Sequence, residues 1–156
     1  MDTNHETKKL FMYATLCLSL AVGLSSGVFS NYFKDVFAVD SVQRGLLEIP
    51  RETPGILCVV ILTALSGLGN LSLMVMAYGF CTLGLAVLGL LSPSYFIMQI
   101  FLFSFSLGEH MMMPLRDSIA MDLSGEGKTG TFLGQLKGKM TLASMTASAA
   151  VFIGYR

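Results

Sequence analysis

Residues 53–108 read TPGILCVVILTALSGLGNLSLMVMAYGFCTLGLAVLGLLSPSYFIMQIFLFSFSLG, 56 positions without one Asp, Glu, Lys, Arg or His. As a single helix this stretch would be about 84 Å long, nearly three times the roughly 30 Å hydrocarbon core of a bilayer. It must therefore fold back, and turn-forming residues occur at two places, SGLGN at 66–70 and SPS at 92–94. The stretch predicts most of three membrane-spanning helices, with charged residues at its two rims.

The composition of the whole chain also indicates a membrane protein. Charged residues make up 13% of the 156 positions and the mean hydropathy is +0.68, whereas soluble domains carry roughly 25% charged residues. Ten basic and ten acidic side chains cancel, and no basic stripe is interleaved with aromatic residues, so no nucleic-acid partner is indicated. The three cysteines lie in apolar runs without CxxC spacing, so no disulfide framework, metal site or cofactor is expected.

Hydropathy and helix length together predict an all-α, polytopic transmembrane bundle. We expect a cytoplasmic tail at 1–9 and a helical domain at 10–156, with about five spans, at 10–33, 46–66, 71–91, 94–117 and 130–154. A signal peptide is the competing interpretation of the first span, but its apolar run exceeds the 7–15 residues of a signal core. Residues 118–129, SIAMDLSGEGKT, are predicted to form a loop.

The distribution of Lys and Arg predicts the orientation of these spans. With the N-terminus inside, six basic residues fall at cytoplasmic ends (Lys8, Lys9, Arg116, Lys128, Lys137, Lys139) and three at outer ends (Lys34, Arg44, Arg51). An excess of basic residues marks the cytoplasmic side. We therefore expect a multi-pass protein of the cell (cytoplasmic or inner) membrane with a cytoplasmic N-terminus and the lipid bilayer as its surroundings.

Small residues in the fifth predicted span indicate a packing surface. Gly130, Gly134 and Gly138 repeat every four residues and so share one helix face. In lipid, small residues let the backbones of two helices approach each other closely. The spacing predicts a helix–helix interface and carries no information about a substrate.

Charged residues at the rims of the uncharged run are the candidate substrate or ion sites. Glu48, Arg51 and Glu52 are spaced i, i+3 and i+4, so they share a helix face and can pair locally. Counting back from the turn at 66–70 places them near a membrane face, which favours a solvated helix end over a substrate or proton site. Pro50 and Pro54 each remove a backbone donor, and so either kink the helix or mark its beginning.

Glu109 and His110 lie deeper in the predicted fourth span. Counting from Tyr95 puts Glu109 about 21 Å along the helix, inside the hydrocarbon region. A carboxylate there must face a cavity, find a partner or be protonated. Handling of a proton or substrate and structural pairing with another helix both stay open for Glu109 and His110. Arg116 and Asp117 are expected at the cytoplasmic boundary, where they would gate or orient.

Three stretches resemble the N-terminal part of major facilitator superfamily transporters, spans one to five of the usual twelve. NYFKDVFAVDSVQRGLLEIPRETPG at 31–55 looks like the end of span one, the outer loop and the start of span two. SLGEHMMMPLRDSIAMDLSGEGKTGTFLGQLKG at 106–138 is similar to the end of span four, the polar loop and a glycine-rich span five, and ASAAVFIGYR at 147–156 closes the match.

The resemblance implies secondary active transport of a small solute by alternating access, with proton coupling as an open option. It also implies a missing C-terminal half, which would be the partner of this chain. Two departures stand out. Residues 66–72 lack the charges of the superfamily's loop between spans two and three, and residues 95–107 lack the arginine of its drug/proton antiporters. No catalytic constellation is present, so an enzyme is not expected. A non-transporting membrane scaffold that acts by helix packing is the alternative.

Overall fold

The computed structural model describes residues 3–91 and 94–154, with the backbone alone for residues 3 and 4. This part of the chain forms five α-helices and one short 3-10 turn, which confirms the prediction of an all-helical protein. The helices are α1 (Thr3–Phe37), α2 (Ser41–Ala64), α3 (Asn70–Leu90), α4 (Tyr95–Ser124) and α5 (Thr129–Gly154). Of the two expected turns, the one at 92–94 lies mostly outside the described residues.

A tight connection separates α1 from α2. Ala38 adopts a left-handed conformation with φ 52°, which an α-helix cannot continue through. Asp40 then caps α2, because its Oδ1 accepts from the Gln43 amide at 2.8 Å while the Asp40 amide donates to Gln43 Oε1 at 3.1 Å. This reciprocal capping box fixes the start of α2 at Ser41. The helix therefore begins five residues before the expected start of the second span.

The predicted turn at 66–70 is confirmed. Ser66–Leu68 forms the 3-10 turn, and the Leu68 amide donates to the Leu65 carbonyl at 2.9 Å. Gly69 follows with φ 76° and ψ 152°, a conformation that residues with a side chain rarely adopt. The uncharged run reverses direction here, as the length argument required.

The prediction of a loop over 118–129 is wrong for its first half. Helix α4 continues to Ser124 and stops at Gly125, which has φ 80°. Residues 118–124, SIAMDLS, contain neither Gly nor Pro, so nothing in them breaks the helix. The connection to α5 is correspondingly short.

One compact unit extends from Phe33 to Ile119. Within it α2 and α4 run parallel, since Arg51 contacts Ser106 and Gly55 faces His110. Helix α3 runs antiparallel to α4, since the Ser104 hydroxyl donates to the Phe80 carbonyl at 3.2 Å and Gly108 abuts the Ala77 carbonyl. A Cβ on Gly108 would lie 2.5 Å from that oxygen, so this crossing requires glycine.

The second unit combines α1 up to Tyr32 with the chain from Ala120 onward. Here α1 and α5 run parallel: Met12 contacts Lys139, Gly23 contacts Ser144, and Gly27 contacts Val151. The Ser148 hydroxyl donates to the Gly23 carbonyl at 3.1 Å. A Cβ on Gly23 would lie 2.5 Å from the Ser144 carbonyl oxygen, so this residue too sits where two helix backbones meet.

The length and exposed surface of the helices fit a membrane protein. Among the described residues, three helices are long and apolar enough to cross a bilayer: His5–Phe37, Asn70–Leu90 and Tyr95–Ser124, which contain 18-residue stretches with mean hydropathies of 1.6, 2.0 and 1.3. Large apolar side chains stand exposed on every helix, for example Ile56 at 77% and Leu90 at 82%. An apolar surface this extensive indicates contact with lipid or partner helices rather than water.

Candidate functional site

Helix α2 presents three different faces. Its buried stripe consists of Leu47, Pro54 and Cys58, spaced i, i+7 and i+11. At 100° per residue, two exposed stripes lie on opposite sides of this buried one. One stripe is charged (Arg44, Glu48, Arg51, Glu52) and the other is apolar (Val42, Leu46, Ile49, Leu57, Val60).

The guanidinium of Arg51 is already engaged by two carboxylates of its own helix. Nη1 lies 3.2 Å from Glu48 Oε1, and Nε lies 4.0 Å from Glu52 Oε1. All three side chains are more than half exposed, so each ion pair contributes little to stability. Their main effect is electrostatic, because the carboxylates of Glu48 and Glu52 balance the positive charge of Arg51.

Ser106 joins the two helices at the level of Arg51. Its hydroxyl donates to the Arg51 carbonyl, in the helical turn that precedes Pro54. The Ser106 side chain is buried, with 1% of the residue exposed. The same hydroxyl lies 3.2 Å from Nδ1 of His110, one turn further along α4.

The ring of His110 is held in a defined orientation. Nδ1 lies 2.9 Å from the Ser106 carbonyl oxygen. A carbonyl only accepts, so Nδ1 carries the hydrogen and donates. Nε2 then points toward Glu52, whose Oε2 is 4.0 Å away. In the neutral ring, Nε2 is the acceptor and the atom at which a proton would be taken up.

Two further residues of α2 adapt to His110. Gly55 leaves room for the ring, since a Cβ there would come within 2.8 Å of Cδ2 and 2.9 Å of Nε2. The thiol of Cys58 donates weakly to the His110 carbonyl, with Sγ 3.8 Å from the oxygen. A glycine, a serine and a cysteine thus fit α2 against the polar part of α4.

Glu109 belongs to the same cluster. It is half-buried and within electrostatic range of Arg51, His110 and Glu52. Along α4 it stands 14 residues after Tyr95 and 15 before Ser124, about 21 and 22 Å from the two ends. Glu109 is therefore at the midpoint of the helix.

All five predicted substrate or ion candidates therefore come together (Glu48, Arg51, Glu52, Glu109, His110), and we call this group the α2–α4 cluster. The sequence treated them as two separate rims. Arg51 is 10 residues from the start of α2 and 13 from its end, about 15 and 20 Å. Glu48, Arg51 and Glu52 are expected within the second helix near one membrane face, and because the capping box starts α2 at Ser41 they lie five residues further from its start than the sequence predicts. Pro50 and Pro54 likewise lie inside the helix.

Arg116 and Asp117 lie further along α4 than the α2–α4 cluster. Arg116 Nε lies 3.5 Å from Asp117 Oδ1, with the two side chains 15% and 32% exposed. The neighbouring Ser118 hydroxyl accepts from Asn70 Nδ2 at 2.8 Å, and Asn70 is the first residue of α3. The pair therefore lies at the end of α3, about 10 Å along α4 from Glu109.

The predicted packing glycines of α5 make no close contact among the described residues. A Cβ on Gly130, Gly134 or Gly138 would meet nothing within 4 Å there. The tight helix contacts occur instead at Gly23, Gly27, Gly55, Gly84 and Gly108. Spacing indicates that a helix face permits close approach, but it does not identify the helix that approaches.

Sequence reasoning missed Ser106, Gly55 and Cys58. Ser106 precedes His110 by one helical turn, a spacing that could have indicated a polar pair. Nothing in the sequence indicates a role for Gly55 and Cys58, because that role depends on which face of α2 packs against α4. Contacts between the two helices determine that face.

With its three carboxylates ionised and His110 neutral, the α2–α4 cluster carries a net charge of −2, and Arg44, one turn before Glu48 on the same stripe of α2, brings this charge to −1. Within residues 3–91 and 94–154, no group of three or more His, Cys, Asp or Glu side chains is arranged to hold a metal ion. Comparison with protein-family models, curated proteins and solved structures gives no match. Inferences about function therefore rest on the cluster itself.

Proposed function

We propose that this chain is part of a secondary transporter of the major facilitator type, and that the α2–α4 cluster lines the path of a cation. The observation that carries the proposal is that five ionisable side chains of two parallel helices come together, all but Glu48 of them near the middle of their helix. Charged groups at mid-membrane depth are costly in lipid and mark substrate or ion pathways.

The exposure of the cluster supports an aqueous surface. Glu48, Arg51 and Glu52 are 51%, 56% and 65% exposed, so the described part of the chain does not cover them. At mid-membrane depth, where the proposal puts these groups, lipid cannot solvate them, so water, a solute or another polar helix must contact them. The apolar stripe of α2, on its other side, is suited to lipid.

Helix directions support five crossings. An antiparallel α3 between parallel α2 and α4 is what three successive crossings produce, and parallel α1 and α5 fit an odd number of intervening crossings. Helix α2 has 24 residues, about 36 Å, which is enough to span a bilayer, and the uncharged part of α5 at 140–154 has 15 residues, about 22 Å. Their charges lower their hydropathy, and we propose that these charges face the transport path or the headgroups.

The charge balance favours a cation over an anion. An anionic solute would need Arg51, but Glu48 and Glu52 already surround its guanidinium. A proton or a cationic solute would instead offset the excess carboxylates. Nε2 of His110, facing Glu52, offers a place where a proton can be held between α2 and α4.

Cysteine accessibility in membranes tests this proposal. In a background with Cys17, Cys58 and Cys81 replaced by serine, Glu48→Cys is compared with Leu46→Cys. The two positions are both about half exposed, lie about 3 Å apart along α2, and are separated by about 200° around it. A membrane-impermeant maleimide is expected to label position 48 and spare position 46, because the reacting thiolate requires water. Equal protection of both positions would reject an aqueous path.

A membrane scaffold remains the second candidate, and one observation favours it. The face of α5 with Gly130, Gly134 and Gly138 is open among the described residues, so a partner helix could approach it closely. Gly134→Leu separates the two ideas. If Gly134→Leu loses a cross-linked complex but transports cations normally, the glycine face serves assembly alone. If neither the variants nor the wild type transport cations, the scaffold is favoured.

A further inference from the structure

A second polar region lies at one end of the α1–α5 pair. Lys139 Nζ is 3.2 Å from Sδ of Met12, which brings the two helices into register. Lys8 and Lys9 precede Met12 by four and three residues, and Lys137 precedes Lys139 by two. All four lysines therefore stand within about one helical turn of this contact along the helix axes, and we call them the lysine belt.

The belt coincides with the boundary between charged and uncharged sequence on both helices. After Lys9, α1 carries no charge from 10 to 33, and after Lys139, α5 carries none from 140 to 154. Where charges cease at one level on two adjacent helices, the hydrocarbon of a bilayer begins. The belt is thus at headgroup level, and the long stems of the lysines let the ammonium groups reach it.

The ammonium groups of the belt are only partly neutralised by the protein. Lys9 pairs with Glu6 at 3.2 Å. Among the described residues, neither Lys8 nor Lys139 forms an ion pair, and the hydrogen-bond acceptor of Lys139 is the weak thioether of Met12. A thioether sulfur leaves the positive charge of Lys139 uncompensated.

We propose that the lysine belt binds the phosphate headgroups of anionic membrane lipids. Clusters of four or more basic residues next to a membrane span attract anionic lipids, with about 1 kcal/mol for each lysine near the surface. The headgroups supply negative charge to Lys8 and Lys139, which form no ion pair among the described residues, at the level where the belt stands. This inference does not depend on the α2–α4 cluster or on transport.

Native mass spectrometry of the full chain tests the proposal. The protein is released from vesicles of equal parts phosphatidylcholine and phosphatidylglycerol, and the ratio of the two retained lipids is measured. We expect the wild type to retain phosphatidylglycerol preferentially and Lys137→Gln/Lys139→Gln to lose about fivefold of that preference for each lysine removed. Lys34→Gln, at the opposite end of α1, is the matched control and should retain it.

Three results would overturn the proposal: equal retention of both lipids by the wild type, an equal loss in Lys34→Gln, or an unchanged preference in the double variant. Circular dichroism establishes that each variant is folded, and Lys137→Arg/Lys139→Arg should restore the preference. In a competition experiment, inorganic phosphate is added to the lipid-bound protein, and chloride at the same ionic strength is the control. If phosphate displaces the lipid where chloride does not, the belt is a site for soluble anions and the lipid assignment fails.

Discussion

The imidazole of His110 occupies the space that a side chain at Gly55 would need. Cδ2 and Nε2 lie 2.8 and 2.9 Å from the position of a Cβ there. Because Nδ1 is held by the Ser106 carbonyl, the ring cannot turn away without losing a hydrogen bond. The absence of a side chain on α2 and the orientation of a ring on α4 are therefore coupled.

Gly55→Ala should destabilise the protein although alanine favours helix. We expect the free energy of unfolding to fall by about 1–3 kcal/mol from overpacking, partly offset by about 1 kcal/mol of helix propensity. Denaturant unfolding in detergent, followed by circular dichroism, measures the change. Gly89→Ala is the control, since its Cβ meets nothing within 4 Å among the described residues. Equal stability of the two variants would contradict the contact.

Gly108→Ala should be more damaging than Gly55→Ala. The added Cβ would meet backbone rather than a side-chain end, 2.5 Å from the Ala77 carbonyl oxygen and 2.7 Å from the Cys81 amide. We expect α3 and α4 to separate, with a loss at or above the upper end of the range of about 1–3 kcal/mol for overpacking. Unfolding is compared with that of Gly79→Ala, an open position on α3. A wild-type melting curve for Gly108→Ala would refute this packing.

Ser106→Ala should weaken the α2–α4 contact without creating a clash. The variant loses the hydroxyl that donates to the Arg51 carbonyl and lies near His110. A lost internal hydrogen bond costs about 1 kcal/mol. Unfolding measurements give the size of the loss, and Ser106→Thr, which keeps the hydroxyl, is the comparison. We expect no change in helix content, so a large drop would point to a wider structural role.

Glu109→Gln should lower cation transport while leaving membrane insertion intact. The substitution preserves shape and removes one negative charge from the middle of α4. In cells that overproduce the protein, uptake of a panel of cationic, neutral and anionic solutes is compared across pH. Glu126→Gln, in the exposed connection after α4, is the charge-matched control. Wild-type transport by Glu109→Gln at every pH would remove this residue from the mechanism.

Arg51→Ala distinguishes a cation path from an anion path. Its removal leaves Glu48 and Glu52 without their common partner and makes the cluster more negative. We therefore expect the apparent affinity for a cationic solute to hold or improve. A strong loss of affinity for an anionic solute would instead show that Arg51 binds substrate and would contradict the charge argument.

The features that could be predicted from sequence are those set by interactions between residues close together in the chain. The helices and the reversal at 66–70 follow from local features, namely the length of the uncharged run and the turn chemistry around Gly69. The start of α2 was missed because Asp40 and Gln43 act as a capping box only in one local geometry. The end of α4 differs from the prediction because the polar residues at 118–124 are typical of a loop but contain no helix breaker.

The α2–α4 cluster shows more clearly which features the sequence alone leaves undetermined. The spacing of Glu48, Arg51 and Glu52 and the depth of Glu109 and His110 in their span identify all its members, yet the sequence places the two groups at different rims. Their proximity results from the parallel packing of α2 and α4, which depends on contacts such as Ser106 with Arg51, 55 residues apart. Helical periodicity describes one helix at a time, so it identifies faces and leaves their pairing undetermined.

The contact of Ser148 with Gly23 also constrains the order of events during synthesis. These residues are 125 positions apart, and chains grow at about 5–20 residues per second. The glycine face of the first helix therefore waits about 6–25 s for its partner after it has emerged. During that interval the glycine face of α1 is open to contact by other helices, so the native pairing must displace any helix that binds there first.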